Sequence, residues 1–289
     1  MKILRITSVI LFALSMLVFA GFKGYQMKTQ DNDVPVIQCD SDSITLSTKA
    51  STKDMLEGVT AYDKKDGDVT QSLVVESISN MDLEGSRTIT YAAFDSDKHV
   101  VRQTRILKYS DYEPPHFSLS KPLLFEIGDI NLSENMTAQD KIDGDLTDKI
   151  KYIADDNALV FKEGKFLIEF QVTNSAGQTA FLPASVEFSY PNTMQNTLVD
   201  IQLSNYIVYI KKGSNFDAKD YIKSVTVNGE KYDFTKKETS SSENTISKDD
   251  ITVKSDVNTT KLGVYNVDYT LVMKDGLSGN TKLIVVVEE

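Results

Sequence analysis

AYDKKDGDVT (residues 61–70) and AQDKIDGDLT (residues 138–147) are the same phrase written twice, 77 residues apart. Each sets three aspartates around one glycine: Asp63, Asp66 and Asp68 about Gly67, then Asp140, Asp143 and Asp145 about Gly144. A second shared phrase follows each time. EGSRTITYAAFDSD (84–97) aligns with EGKFLIEFQVTNSA (163–176), which sets Asp95 against Asn174. A period of this size is too long for a solenoid repeat and suits a small domain used more than once.

Alternation decides what kind of domain. In RTITYAAF, Ile89, Tyr91 and Ala93 fall on one face of an extended chain, as Ile168, Phe170 and Val172 do in the second copy. Runs rich in β-branched and aromatic residues recur between Gly, Asp, Asn and Ser, which predicts strands. The first unit has them at 44–47, 73–78, 87–95 and 100–109, and the second at 123–127, 146–153, 165–173 and 181–188. A third unit keeps only the later phrase, as LGVYNVDYTL (262–271), with strands predicted at 198–203, 206–210, 221–227, 263–273 and 281–287. The polar stretch 236–250 interrupts that unit and reads as a surface loop. Parallel α/β folds need helical crossovers, and none is legible. The expectation is an all-β chain of tandem small β-sandwiches after an N-terminal signal or anchor helix, which the resemblance given below makes Ig-like β-sandwiches. Its boundaries would be 1–30 for the signal peptide or signal anchor, 31–112 and 113–192 for the first two sandwiches, and 193–289 for a divergent third. DYEPP (111–115) and YPNT (190–193) would form the junctions, because proline ends strands.

The amino terminus is of another kind. Lys2 and Arg5 precede an apolar run from Ile6 to Phe22, and Lys23 and Lys28 follow it. A basic flank and an apolar run at the start of a chain predict export, by a cleaved signal or an uncleaved anchor. Val18 and Ala20 fit the small-residue pattern before a cleavage site. No cysteine follows the run directly, and no second hydrophobic span ends the chain at LIVVVEE. Residues 31–289 are then expected at the cell surface or outside the cell.

Composition narrows the function. The 289 residues are 40% hydrophobic and 25% charged, ordinary for a folded chain. The net charge is −11, distributed as +4 over 1–30, −5 over 31–110, −8 over 111–190 and −2 over 191–289. Such a surface repels phosphate backbones, so no nucleic-acid partner is expected. A single cysteine, Cys39, permits no internal disulfide and reads as a buried or half-buried small residue. Two histidines, His99 and His116, lack metal-motif spacing and read as exposed polar residues.

The aspartates admit three readings. Asp–Gly pairs make turns, because aspartate bonds nearby amides and glycine adopts positive φ freely; this alone accounts for every residue type in the phrase. Calcium is the second reading. Asp63, Asp66 and Asp68, with Asp95 more distant, could ligate it in the first unit; Asp140, Asp143 and Asp145, with the Asn174 carbonyl, could do so in the second. The spacing is not that of an EF-hand, and no other cofactor is implied. Acid catalysis, the third reading, needs carboxylates facing across a cleft about 5–10 Å wide, whereas these share one turn. The chain is therefore expected not to be an enzyme.

The order of these phrases resembles the bacterial immunoglobulin-like domains of exported Gram-positive surface proteins, a type also found as accessory modules in insecticidal crystal proteins. Its members carry A-x-D-x-x-D-G-D-[ILV]-T, then G-x-[YR]-x-[IV]-x-[YF], then D-x-x-G-N. The first unit has Asp97-Lys98-His99 where the family has its Gly-Asn turn, and the second has Ala176-Gly177-Gln178 after Asn174. The resemblance covers 36–190 and, more loosely, 194–289. It implies an extracellular, non-catalytic chain serving as a spacer, an adhesin or a protein-interaction module. A carbohydrate- or cell-wall-binding module and an accessory subunit of an exported enzyme complex are the alternatives. The partner would be a protein or a cell-surface glycan, with membrane contact at the N-terminus if the signal is uncleaved.

Overall fold

The computed structural model describes residues 2–29, 33–128, 131–154, 162–190, 199–234 and 246–289. Within 2–29, side chains are described for 6–25 only. The expected junction at 192/193 and most of the 236–250 stretch lie outside the described residues.

Helix α1 spans Lys2–Thr29. Its segment Ile6–Tyr25 has a mean hydropathy of 2.0, is long and apolar enough to cross a bilayer, and buries none of its surface against the protein. A signal sequence and an anchor would look alike here. Beyond it the regular structure of the described residues is β, apart from short helical turns. One of these is α2, Thr52–Met55, started by a capping box in which Ser51 and Asp54 bond each other's backbone amides.

Among the described residues the strands come in sets of seven. The first set is β1 (Val36–Cys39), β2 (Ser43–Leu46), β3 (Val59–Asp63), β4 (Gly67–Asp68), β5 (Val74–Ile78), β6 (Ser86–Phe94) and β7 (Val100–Tyr109). The second is β8 (His116–Leu119), β9 (Leu124–Glu126), β10 (Met136–Asp140), β11 (Gly144–Asp145), β12 (Lys151–Ala154), β13 (Gly164–Thr173) and β14 (Thr179–Ser189). The third is β15 (Val199–Leu203), β16 (Ile207–Lys211), β17 (Ile222–Val227), β18 (Glu230–Asp233), β19 (Thr252–Ser255), β20 (Gly263–Val272) and β21 (Ser278–Glu288). Each set makes a three-stranded and a four-stranded sheet: β1-β3-β4 with β2-β7-β6-β5, β11-β10-β8 with β12-β13-β14-β9, and β15-β17-β18 with β16-β21-β20-β19. Pairing is antiparallel except where the second strand of each set runs parallel to the last. These are the expected β-sandwiches.

Alternation fills the cores as the sequence predicts. Ile89, Tyr91 and Ala93 are fully buried, as are Ile168, Phe170 and Val172, and Val267, Tyr269 and Leu271. The matching position is a buried aromatic in each copy: Tyr91, Phe170 and Tyr269. Tyr91 Oη donates to the Met55 carbonyl and Tyr269 Oη to the Ala218 carbonyl, each at 2.7 Å. A buried tyrosine hydroxyl needs such a partner. Phe170, in the second copy, carries no hydroxyl to satisfy.

One predicted strand is shorter than expected. The run 146–153 opens with a 3₁₀ turn, Thr147–Lys149, and pairs only from Lys151. Asp145 Oδ1 accepts from the Thr147 amide at 2.9 Å, which bends the backbone before the strand can start.

The chain divides into two compact units, Met1–Asp111 and Tyr112–Glu289. Unit 1 holds one core, built from residues such as Ile37, Val59, Ile89 and Leu107. Unit 2 holds the other two sandwiches, and their cores touch. Ile207 of β16 and Ile284 of β21 belong to the second sandwich's cluster, and Tyr209 and Val286 pack against it. Tyr209 stacks on His116 with ring centroids 4.0 Å apart and accepts from the Phe117 amide at 2.8 Å. His116 Nε2 meets Glu288 Oε2 at 3.1 Å, and Lys282 pairs with Glu187 at 2.8 Å. Burial pushes the Tyr209 phenol up to about 12.

Candidate functional site

The two aspartate phrases form the same clasp at one end of their sandwiches. β3 ends at Asp63 and β10 at Asp140; each pairs across a tight turn with the motif glycine, Gly67 or Gly144, held at φ +78° and +80°. Positive φ at this point is what requires glycine. Asp63 Oδ1 accepts from the Lys65 and Asp66 amides at 2.8 and 2.9 Å, and Asp140 Oδ1 accepts from the Asp143 amide at 2.7 Å. The third aspartate of each phrase turns the chain onward. Asp68 accepts from the Thr70 amide and Asp145 from the Thr147 amide, both at 2.9 Å. The hydroxyls of Thr70 and Thr147, and after them these amides, hold the Asp68 and Asp145 carboxyls below the usual carboxylate range. Thr70 and Thr147 reach back to the amides of Ala61 and Ala138 at 3.0 and 3.3 Å.

The middle aspartate makes the clasp. Asp66 accepts from Ser96 twice, at 2.7 Å from the amide and 2.9 Å from the hydroxyl. Asp143 does the same with Ser175, at 2.7 and 2.5 Å. Each therefore ties the turn to the hairpin between the two longest strands of its sandwich. Burial opposes ionisation of Asp143, yet the Ser175 bonds and Lys149 at 3.3 Å hold its carboxyl low. Ser96 and Ser175 occupy the same place in FDSD and TNSA, and that coincidence in the repeat was the signal that could have found them.

The hairpin residue before each serine is where the copies part. Asn174 Oδ1 accepts from the Ala176 and Gln178 amides, and its Nδ2 donates to Asp140 Oδ2 at 2.6 Å. Asp95 Oδ1 likewise accepts from the His99 amide at 2.8 Å, while its Oδ2 meets His99 Nδ1 at 2.6 Å. Burial works against an Asp95 anion, but the bonds from His99 prevail and hold its carboxyl below the usual range. His99 and His116 are thus both half-buried and engaged rather than the exposed polar residues expected, because each meets a carboxylate. Cys39 is half-buried, and burial pushes its thiol up.

The structure thus gathers Asp63, Asp66 and Asp95 with His99 in one sandwich, and Asp140, Asp143 and Asn174 in the next. Asp68 and Asp145 serve the turn that follows. Among the described residues, no group of three or more His, Cys, Asp or Glu side chains is arranged to hold a metal ion.

No known family profile matches the chain. An uncharacterized 81.3 kDa protein of Acholeplasma phage L2 is 28% identical over 219 residues, covering 75% of this chain. The match spans 26% of that relative's length. Among solved structures, Drosophila N-cadherin EC1-4 is 12% identical, over 90% of this chain and 68% of its own, with a TM-score of 0.25. The CBM51-2 and INT domains of Clostridium perfringens ZmpB, solved with GlcNAc, are 15% identical over 52% of this chain and 26% of theirs, with a TM-score of 0.21. Protocadherin Gamma B2 domains 1–5 are 13% identical, over 89% and 60%, with a TM-score of 0.19.

Proposed function

We propose that the chain is an exported, membrane-tethered, non-catalytic member of the bacterial immunoglobulin-like type, acting as a cell-surface spacer and protein-interaction module. The observation that carries this reading is the joining of an apolar, wholly exposed helix over Ile6–Tyr25 to a body made of β-sandwiches. The carboxylates of the two aspartate phrases bond backbone amides and serines, which supports a structural role for them. Sandwiches of this kind carry their specificity on surfaces and loops, so no reaction is needed to explain the chain. Protease treatment of intact cells tests the placement. Loss of the sandwiches without lysis is the expected result, and full protection until lysis would sink the proposal.

A glycan-binding reading has one observation in its favour. An open depression of about 570 Å³ in the third sandwich is lined by Phe216, Asp217, Ser255 and Asn258, among others. Phe216 and Tyr221 stack beside each other at 5.6 Å. An aromatic ring flanked by polar groups can take a sugar face. Retention on peptidoglycan that is lost in Phe216→Ala would favour it over the spacer reading.

A further inference from the structure

The two clasps share the bonds that hold the hairpin to the turn and part at one oxygen. In both, the hairpin residue takes its i+4 amide on Oδ1 and gives its own amide to the i+4 carbonyl, at 3.3 Å from Asp95 and 3.0 Å from Asn174. In both, the serine that follows is held by the motif's middle aspartate. Asp95 therefore stands where Asn174 stands. The second sandwich fills the contact between this residue and the strand-ending aspartate with an amide N–H, donated to Asp140 Oδ2. At the equivalent position the first sandwich has Asp95, a carboxylate that brings no hydrogen of its own and whose Oδ2 meets His99 Nδ1. Correspondingly, Asp63 Oδ2 is buried without a hydrogen-bond partner, on a residue only 1% exposed.

A buried carboxylate oxygen left unpaired beside a second carboxylate is costly, and a positive charge between them removes the cost. We propose that the first sandwich alone binds a calcium ion, anchored by Asp63 Oδ2 and the Asp95 carboxylate. Both ligands are hard oxygens, which suits calcium. Backbone carbonyls and water complete its six to eight ligands. Asp66 and Asp68 take no part: both are exposed, whereas Asp63 and Asp95 are buried, and their bonds draw them to Ser96 and to the Thr70 turn. His99, bonded to Asp95 through Nδ1, orients that carboxylate in the manner of an outer-shell partner. Two carboxylates on an exported module point to a dissociation constant of order 10⁻⁴–10⁻³ M, within the range of extracellular modules.

The test is a set of melts of the full chain in detergent micelles, in EDTA and then in 10 mM calcium or magnesium. Terbium titration, sensitised by tyrosine, counts the sites. The wild type is expected to gain roughly 5 °C or more with calcium and to bind one terbium. Asp95→Asn copies the second sandwich. Its amide would donate to Asp63, so it should melt in EDTA no lower than wild type while losing the calcium response and the terbium site. That pairing separates loss of a ligand from loss of the fold. Asn174→Asp makes the converse change and should create a second terbium site. A calcium response equal in wild type and Asp95→Asn would overturn the proposal. So would a melt indifferent to calcium at pH 7.5 that rises on acidification, which would place a shared proton in the gap.

Discussion

The first and second sandwiches are two copies of one plan, and they differ in what lies beyond the clasp. The first closes its core with residues drawn from 37–109 alone. The second extends its core into strands β16 and β21 of the third. A repeated motif therefore fixes the local turn while leaving each copy to find its own neighbours. Tyr209 is the residue on which this difference turns, since it stacks on His116 and holds the Phe117 amide. Tyr209→Ala should cost about 3 kcal/mol, in the range for removing a packed aromatic ring. Calorimetry should then resolve the second and third sandwiches as separate transitions, where the wild type is expected to melt them as one. Alkali should act on the same point. A phenol raised from 10.0 to about 12 by burial contributes stability that is complete below pH 10 and is lost as pH rises towards 12. A wild-type melt flat across that window would break the assignment.

The coupling of the last two sandwiches was written in the sequence but not in the motif. YIVYI (206–210) and LIVVV (283–287) are apolar at every position, and so on both faces of a strand. That pattern marks strands covered from both sides. An alternating strand such as RTITYAAF shows its inner face and hence the sandwich, which is why the fold was legible. The short strands β3 and β10 were harder to see, because their last residues belong to the aspartate turn and carry its chemistry instead of a strand's. The histidines were misread for a related reason. Their partners, Asp95 and Glu288, become visible only once the hairpin and the contact with the third sandwich exist, and one of them lies 172 residues away.

Within the clasp, the copies should respond unequally to loss of the middle aspartate. Asp143 is half-buried and adds Lys149 to its two bonds with Ser175, whereas Asp66 is exposed. Asp143→Ala is expected to cost about 2 kcal/mol, the size of a charge-assisted hydrogen bond, and Asp66→Ala less. Acid should reproduce this loss. A carboxyl held below its ordinary value of 3.8 contributes stability that is present above that pH and disappears as pH falls through the depressed value. The melting temperature of unit 2 should therefore decline below about pH 4, and more gently in Asp143→Asn. Equal losses from Asp66→Ala and Asp143→Ala would mean that burial adds nothing to the second clasp.

The smallest difference sits at the tip of the same hairpin. Lys98 and Gly177 occupy matching positions, at φ +71° and +80°. The first sandwich has kept the left-handed turn but not the glycine that makes it free, since an L side chain there crowds the following carbonyl. Lys98→Gly should stabilise the first sandwich by about 0.5–1 kcal/mol, the relief of that crowding less the extra entropy of an unfolded glycine. Gly177→Ala should cost the second a similar amount. Lys98→Ala separates backbone from side chain: it removes the ammonium and keeps the strain, so its melt should stay near wild type. If Lys98→Ala gained as much as Lys98→Gly, the turn would be strained through the lysine's charge, and the two hairpins would no longer be equivalent in their backbone.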